Sequence, residues 1–159
     1  MTKAALSSPI GPIVIESDGD RLLSLRILAE GIAVPAELGP PPGGSLLADA
    51  AVQIAAYFAR TLDDFDIPLA PAATPRGQEL REAMIAIPIG ETLSYGAFAR
   101  IAGSAPRAIG QACARNPLPL IVPCHRVVGS GGTIGHYSGA NGVATKMWLL
   151  DHEKRGGLL

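Results

Sequence analysis

Ile121-Val122-Pro123-Cys124-His125-Arg126-Val127-Val128 sets a thiol beside an imidazole and a guanidinium, between β-branched residues. Cysteine attacks as the thiolate, and nearby cationic or basic groups lower its pKa from about 8.5. Pro123 fixes its own φ and pushes Val122 toward extended geometry, which gives the thiol a stiff support. Leu118 to Val128 accordingly reads as one apolar extended run carrying Cys124. Taken alone, the segment also reads as a small buried cysteine in a strand, so its surroundings decide.

Upstream, Ser94 can cap a helix running through Ala102, and Gly103-Ser104-Ala105-Pro106 is a turn. A second helix is expected from Pro106 to Arg115, ending before Asn116-Pro117. Two short helices joined by a glycine-containing turn have the form of a helix-turn-helix, a spacing shared with proteins that bind no DNA. In the second helix Arg107, Gln111 and Arg115 make one polar stripe, with Ile109, Ala112 and Cys113 facing inward. Such a thin, arginine-edged helix suits a groove, and it is equally an ordinary amphipathic surface helix.

Downstream, Gly129 to Gly135 is a glycine-rich loop leading to His136-Tyr137-Ser138-Gly139. A closing helix from Thr145 to Lys154 is expected to end in Gly156-Gly157. His136 and His152 read as surface residues, with a minor pocket role open to His136, and Cys113 as packing. Before the helix-turn-helix, Arg76 to Ile87 reads as a helix stopped by Pro88 and Gly90. Pro68 to Pro75 is a semi-rigid linker that divides an N-terminal lobe, residues 1–70, from a C-terminal lobe, residues 71–159. In the first lobe, Ile10 to Ile27 reads as a hairpin: Ile13-Val14-Ile15 and Leu22-Leu23-Ser24-Leu25 flank Ser17-Asp18-Gly19-Asp20, whose Asp-Gly favours a tight turn. Pro35 to Gly44 is a loop, and Leu46 to Arg60 a helix whose inner face is expected to be Leu47, Ala51, Ile54, Ala55 and Phe58.

The chain has 159 residues, of which 48% are hydrophobic and 17% charged, enough for a packed core and too apolar for wholesale disorder. Two cysteines, Cys113 and Cys124, form no CxxC pair, and no Cys/His cluster has zinc-ligand spacing. The short apolar stretch at Met1–Leu6 does not make a signal peptide, and no run reaches the length of a membrane span. A reduced, cytoplasmic protein is the expectation. The net charge of −1 hides an asymmetry. From Thr92 to Leu150 there is no Asp or Glu, while Arg100, Arg107, Arg115, Arg126 and Lys146 lie there. A basic half that holds the candidate nucleophile suits an anionic partner.

Assembled, these pieces resemble the O6-alkylguanine-DNA alkyltransferase (methylated-DNA–protein-cysteine methyltransferase) family. The resemblance rests on Ile87-Pro88-Ile89-Gly90-Glu91-Thr92-Leu93-Ser94-Tyr95-Gly96, Arg107-Ala108-Ile109-Gly110, Asn116-Pro117, Val122-Pro123-Cys124-His125-Arg126-Val127-Val128, Tyr137-Ser138-Gly139, and Lys146 through Leu149-Leu150 to Glu153. In the first lobe it is looser, through Ser8-Pro9-Ile10-Gly11-Pro12, Tyr57-Phe58 and Phe65-Asp66-Ile67-Pro68-Leu69. It implies a ribonuclease-H-like α/β lobe with a small antiparallel sheet, then a mainly helical lobe with a winged helix-turn-helix. It implies direct, single-turnover transfer of the alkyl group from O6-methylguanine, and from O4-methylthymine, in double-stranded DNA to Cys124. A monomer needing no cofactor and no metal is expected.

By position, the resemblance makes His125 the base, acting through a water, and Glu153 its orienting partner. A water relay suits neighbours on a strand, which point to opposite faces. Tyr95 would neutralise the departing guanine, and Asn116 would buttress the cysteine turn. Ser138, Tyr137, Val127 and Lys146 would form the substrate site. Arg107 would fill the gap left by the flipped nucleotide, with Tyr95, Ala108, Gln111 and Arg115 also at the DNA. Arg126 reads as structural, bonding backbone carbonyls near the active turn. Thr74-Pro75-Arg76-Gly77-Gln78-Glu79-Leu80-Arg81-Glu82 departs from the family, whose usual Phe-Gln start and Val-Trp pair are replaced by charge. Two rival functions stand beside this one. A non-enzymatic, lesion-binding signalling relative would lack the acceptor that Cys124 supplies, and a Cys124-His125-Glu153 hydrolase would turn over repeatedly.

Overall fold

The computed structural model describes residues 1–154, so the expected Gly156-Gly157 helix end lies outside the described residues. The chain forms two compact units, Met1–Ala70 with Gly139–Asn141, and Pro71–Ser138 with Gly142 onward.

The first unit is built on β1 (Thr2–Leu6), β2 (Ile13–Ser17) and β3 (Leu22–Ile27), an antiparallel sheet in the order β1-β2-β3. Ile15 faces Ala4 on one side and Leu25 on the other, and all three are buried. β1 escapes a reading by β-propensity because Ala4 and Ala5 are poor strand formers and Ala4 alone of its five residues is fully buried. The β2–β3 connection is the four residues Asp18 to Arg21, one place later than the expected Ser17 to Asp20. Asp18 Oδ1 accepts from the backbone N–H groups of Asp20 and Arg21. A register irregularity at Glu16/Ser17 absorbs the shift.

Helix α1 (Leu46–Phe58) begins at Ser45, whose hydroxyl accepts from Ala48 N–H at 3.1 Å. Its buried face is Leu47, Ala50, Ile54 and Tyr57. The expected inner face is therefore corrected by part of a turn: Ala55 is exposed, while Tyr57 is buried against Phe65 with ring centroids 5.6 Å apart. A ring buries far more area than the alanine, so tyrosine sets the helix rotation.

The second unit starts with α2 (Pro75–Ile85). Thr74 Oγ1 accepts from Gly77 N–H at 2.9 Å, and proline occupies the first turn, where its missing N–H is harmless. Next come β4 (Leu93–Ser94), α3 (Tyr95–Ala102) and α4 (Pro106–Ala114). Ser94 caps α3 through Ala97 N–H at 3.0 Å, and Gly103 ends it at φ 66°, a left-handed conformation that glycine adopts without penalty. Phe98, Ala99 and Ile109 pack into the core, which makes α3 and α4 a helix-turn-helix with a buried seam. β4 pairs in parallel with β5 (Val127–Val128), and α5 (Val143–Glu153) closes the unit.

The family-atypical stretch at the start of α2 has a structural answer. Arg76 Nη2 donates to the carbonyls of Ala102 and Gly103 at 2.7 and 2.9 Å, capping the last turn of α3 at the helix-turn-helix bend. A cation at a helix C-terminus meets the negative end of the dipole. Arg81 is buried, and burial pulls its pKa down. Gly77, Arg81 and Met84 border a cavity of about 530 Å³ that reaches Asn116 and Val122. Arg76→Ala is expected to lower stability by about 1 kcal/mol, or roughly 3 °C in Tm, with Arg76→Lys recovering part of it. An unchanged melting curve would show that the cap contributes nothing.

Candidate active site

Leu118–Val128 is not the single extended run expected from its composition. Pro119 and Pro123 cannot donate to a ladder, and Leu120 takes a left-handed φ of 78°. Asn116 organises the bend: its Oδ1 accepts from Leu118 N–H at 3.0 Å and its Nδ2 donates to Val122 O at 2.9 Å. Pro123, at φ −78° and ψ 62°, forms an inverse γ-turn closed by Cys124 N–H to Val122 O at 2.8 Å. Cys124–Arg126 is then one turn of 3₁₀ helix, and strand geometry begins only at Val127. The argument that strand neighbours face opposite ways therefore does not apply to Cys124 and His125.

Beneath this turn lies a closed polar cluster. His125 Nε2 meets Glu153 Oε2 at 2.6 Å, with both side chains essentially inaccessible. Arg126 holds the same carboxylate through Nε to Oε1 at 2.8 Å and Nη2 to Oε2 at 3.1 Å, and donates through Nη1 to Ile87 O at 2.6 Å. Burial works against the Glu153 charge, but His125 and Arg126 outweigh it and hold the carboxyl down to about 2. Burial dominates at His125 and keeps its pKa below the ordinary value despite Glu153. Burial thus favours the neutral imidazole. With the proton on Nε2 facing the carboxylate, Nδ1 is the basic nitrogen, and it makes no hydrogen bond to another described residue. Glu153, near the chain end, looks like a solvated residue in sequence yet is 1% exposed.

Above the turn, Cys124 opens into a cavity of about 230 Å³ bordered by Tyr95, Cys113, His136, Tyr137 and Ser138. Cys124 itself is 5% exposed. Burial raises its thiol pKa, opposed by a hydrogen bond with Asn116 and by the charge of Lys146. Tyr95, first residue of α3, is half-buried, and burial together with the two thiols raises its pKa. The glycine loop packs hard against it. At Gly135, with φ +83°, an added Cβ would stand 3.3 Å from the Tyr95 hydroxyl and 3.2 Å from its ring. Tyr137 is buried, its hydroxyl has no hydrogen-bond partner among the described residues, and burial raises its pKa.

Lys146 is not at the cavity wall. It is 0% exposed, and Nζ donates to Val127 O at 2.7 Å and His136 O at 3.1 Å, 5.7 Å from the Tyr95 ring centroid. Burial lowers its pKa while the thiols raise it. It ties β5 to the loop before Tyr137, and its charge reaches the thiols from behind. Val127 is likewise fully buried, and its carbonyl is what Lys146 holds. Arg107 and Gln111 are exposed on α4, Ala108 is half-buried between them, and Arg115 is the exposed C-cap. No acid occupies the first turn of α4. Ser138 is exposed at the cavity rim.

Two readings are corrected. His152 is buried and stacks on Trp148 with centroids 4.8 Å apart, because its position on α5 turns it inward beside Glu153. Cys113 is a wall of the cavity rather than plain packing, and burial pushes its thiol up to about 12. Its place one helical turn beyond Ile109 was legible, but nothing in sequence said that α4 would border Cys124. Among the described residues no group of His, Cys, Asp and Glu is arranged to hold a metal, and no helix is long and apolar enough to cross a membrane.

Comparison with known proteins identifies the family. The family profile described as 6-O-methylguanine DNA methyltransferase, ribonuclease-like domain, matches residues 1–71, and that described as its DNA binding domain matches residues 76–155. The methylated-DNA–protein-cysteine methyltransferase of Mycobacterium leprae is 40% identical over 152 residues, covering 94% of this chain and 90% of the relative. The human protein of that name is 33% identical, covering 96% and 80%. The crystal structure of Mycobacterium tuberculosis OGT in complex with DNA superposes with a TM-score of 0.81 at 38% identity, covering 95% of this chain and 92% of that one. The two profiles together span nearly the whole chain, and the chain belongs to the 6-O-methylguanine DNA methyltransferase family.

Proposed function

We propose that this protein repairs alkylated DNA by moving the alkyl group from O6 of guanine, and from O4 of thymine, onto Sγ of Cys124, once per molecule. The carrying observation is one arrangement. The Cys124 thiol shares a cavity with Tyr95 and Ser138, while Glu153 accepts a hydrogen bond from Nε2–H of His125 and leaves Nδ1 as the base. The relatives' shared name, methylated-DNA–protein-cysteine methyltransferase, supports the reading.

At rest Cys124 is a neutral thiol, which protects it from stray electrophiles. With a flipped base in the cavity, Cys124 passes its proton toward His125 Nδ1 through a water, and the charge of Lys146 favours the thiolate left behind. Sulfur attacks the alkyl carbon, the carbon–oxygen bond breaks, and its electron pair goes to the base. Tyr95 and Ser138 donate toward the departing guanine, where negative charge grows. The product is a thioether on Cys124, and no step in the scheme removes it. The division of labour assigns residues 71–159 to DNA and chemistry, and residues 1–70 to the α/β lobe. The reduced cytoplasm suits an acceptor thiol, and that is our reading of its location.

Incubation with a duplex carrying O6-methylguanine is expected to add one methyl group per molecule, on Cys124, by intact mass and peptide mapping. Repeated removal beyond one equivalent would overturn the scheme. The exposed Arg107 on α4 acts in the stack, filling the place of the extruded base. Arg107→Ala is expected to slow repair of duplex DNA by about 30–100-fold, corresponding to roughly 2–3 kcal/mol of lost support for flipping. Reaction with free O6-benzylguanine, which needs no flipping, should change by less than about threefold. Equal losses on the two substrates would exclude this role.

A further inference from the structure

Cys113 is a second sulfur bordering the acceptor's cavity, and the transfer chemistry above gives it nothing to do. It sits on α4, half-buried, in the wall of the cavity into which Cys124 opens, and neither cysteine is in a disulfide among the described residues. Cys113 and Cys124 each lie within reach of the Lys146 charge. We infer that Cys113 is the second nucleophile for alkyl groups that carry a leaving group of their own, such as 2-chloroethyl, and that it closes them into a thioether bridge with Cys124. This rests on the transfer to Cys124 proposed above.

The steps balance. Cys124 thiolate attacks the carbon bonded to O6, that bond breaks, and guanine departs with the electron pair and a proton. The new thioether sulfur displaces chloride from the far carbon, giving a three-membered episulfonium ring. Cys113 loses its proton and attacks a ring carbon, the strained carbon–sulfur bond opens, and an ethylene unit joins the two sulfurs. Guanine, chloride and one proton are the products released.

Order is built into the chemistry. Burial holds the Cys113 thiol up, to about 12, and so keeps it from competing as the first nucleophile. Only once Cys124 has taken the chloroethyl group and formed the episulfonium does the cavity hold an electrophile reactive enough for the second thiol, with the charge of Lys146 helping it to ionise. Without it, the episulfonium would be opened by water or by a nucleophilic base of the bound DNA, which would fasten the protein to its substrate. A thiol held in the same cavity competes at a high effective concentration.

The test uses the full chain and a duplex freshly prepared with O6-(2-chloroethyl)guanine, with an O6-methylguanine duplex as the reference arm. Bridged protein, recognised by gain of one ethylene and loss of two hydrogens, with neither cysteine open to a thiol reagent after denaturation, is expected to exceed the hydroxyethyl product by at least about tenfold. Cys113→Ser and Cys113→Ala should yield hydroxyethyl-Cys124 or DNA-linked protein instead, scored per group transferred so that any change in transfer rate cancels. Wild-type protein bearing hydroxyethyl-Cys124 and a free Cys113 would overturn the inference, as would equal DNA linkage with and without Cys113. Failure of the methyl arm would sink the transfer itself, whereas normal methylation without bridging sinks only the second step.

Discussion

Cys124→Ala is expected to take up no alkyl group from O6-methylguanine DNA, with transfer reduced by more than about 1,000-fold, while still binding the lesion. The turn that presents residue 124 is held by other atoms. Asn116 clamps the carbonyl of Val122 and the N–H of Leu118, Pro123 sets the γ-turn, and Arg126 anchors the 3₁₀ turn through Glu153 and Ile87. Alanine removes sulfur and leaves that scaffold. Binding to lesion duplex should therefore stay within about threefold of wild type, since α4 and Arg107 are untouched. Mass spectrometry and gel shift on one preparation separate chemistry from recognition. Methyl found on another residue of the variant would refute the assignment, and lost binding with intact folding would put recognition at the sulfur.

Glu153→Gln should have the second largest effect, on two readouts at once. One carboxylate serves His125 and Arg126 in a space that is nearly inaccessible. A neutral amide leaves the buried guanidinium without its counter-charge, a loss of about 3–5 kcal/mol, or roughly 10 °C in Tm. It also offers His125 an NH₂ as readily as an oxygen, so the tautomer that presents Nδ1 as the base is no longer imposed. Transfer in the folded variant should slow by about 100-fold or more. Normal rates at a temperature where the variant is folded would reduce Glu153 to a structural ion pair.

The acid limb of stability supplies an independent check. The Glu153 carboxyl is lowered from 4.5 to about 2. Its contribution is full above the unfolded value and is lost as pH falls toward the folded one, because the unfolded chain then binds a proton that the folded chain refuses. His125 acts in the same direction from higher pH, since its folded value lies below 6.5. Wild-type stability should fall through both windows on acidification. In Glu153→Gln the lower one should flatten, which chemical denaturation across the range would read directly.

Much of the second lobe was legible because its signals are local. Ser94, Gly103 and Pro106 each act within a turn, and they set the bounds of α3 and α4 almost residue by residue. The cysteine turn was less so. Runs of Leu, Ile and Val suggest a strand by composition, but two prolines and the clamp of Asn116 bend them, and a side-chain clamp has no periodicity to detect. Lys146 and Glu153 were harder still. Charged residues near the end of a helix normally face water, and their burial follows from carbonyls and a guanidinium contributed from far along the chain. The face of α1 was misjudged because Tyr57 counts as amphipathic in a sequence pattern, although its ring is almost wholly buried.

The tight enclosure of Cys124 has a consequence after the reaction. A group added to this sulfur must share the cavity with Tyr95 and Tyr137, and where it presses on the packed turn beneath, an extra methylene costs about 1–3 kcal/mol. The used molecule thus carries a flaw at the centre of its smaller cavity, beside the bend that Asn116 maintains. The alkylated protein is expected to open more often than the fresh one and to be cut sooner by a protease, and equal cleavage rates would refute this.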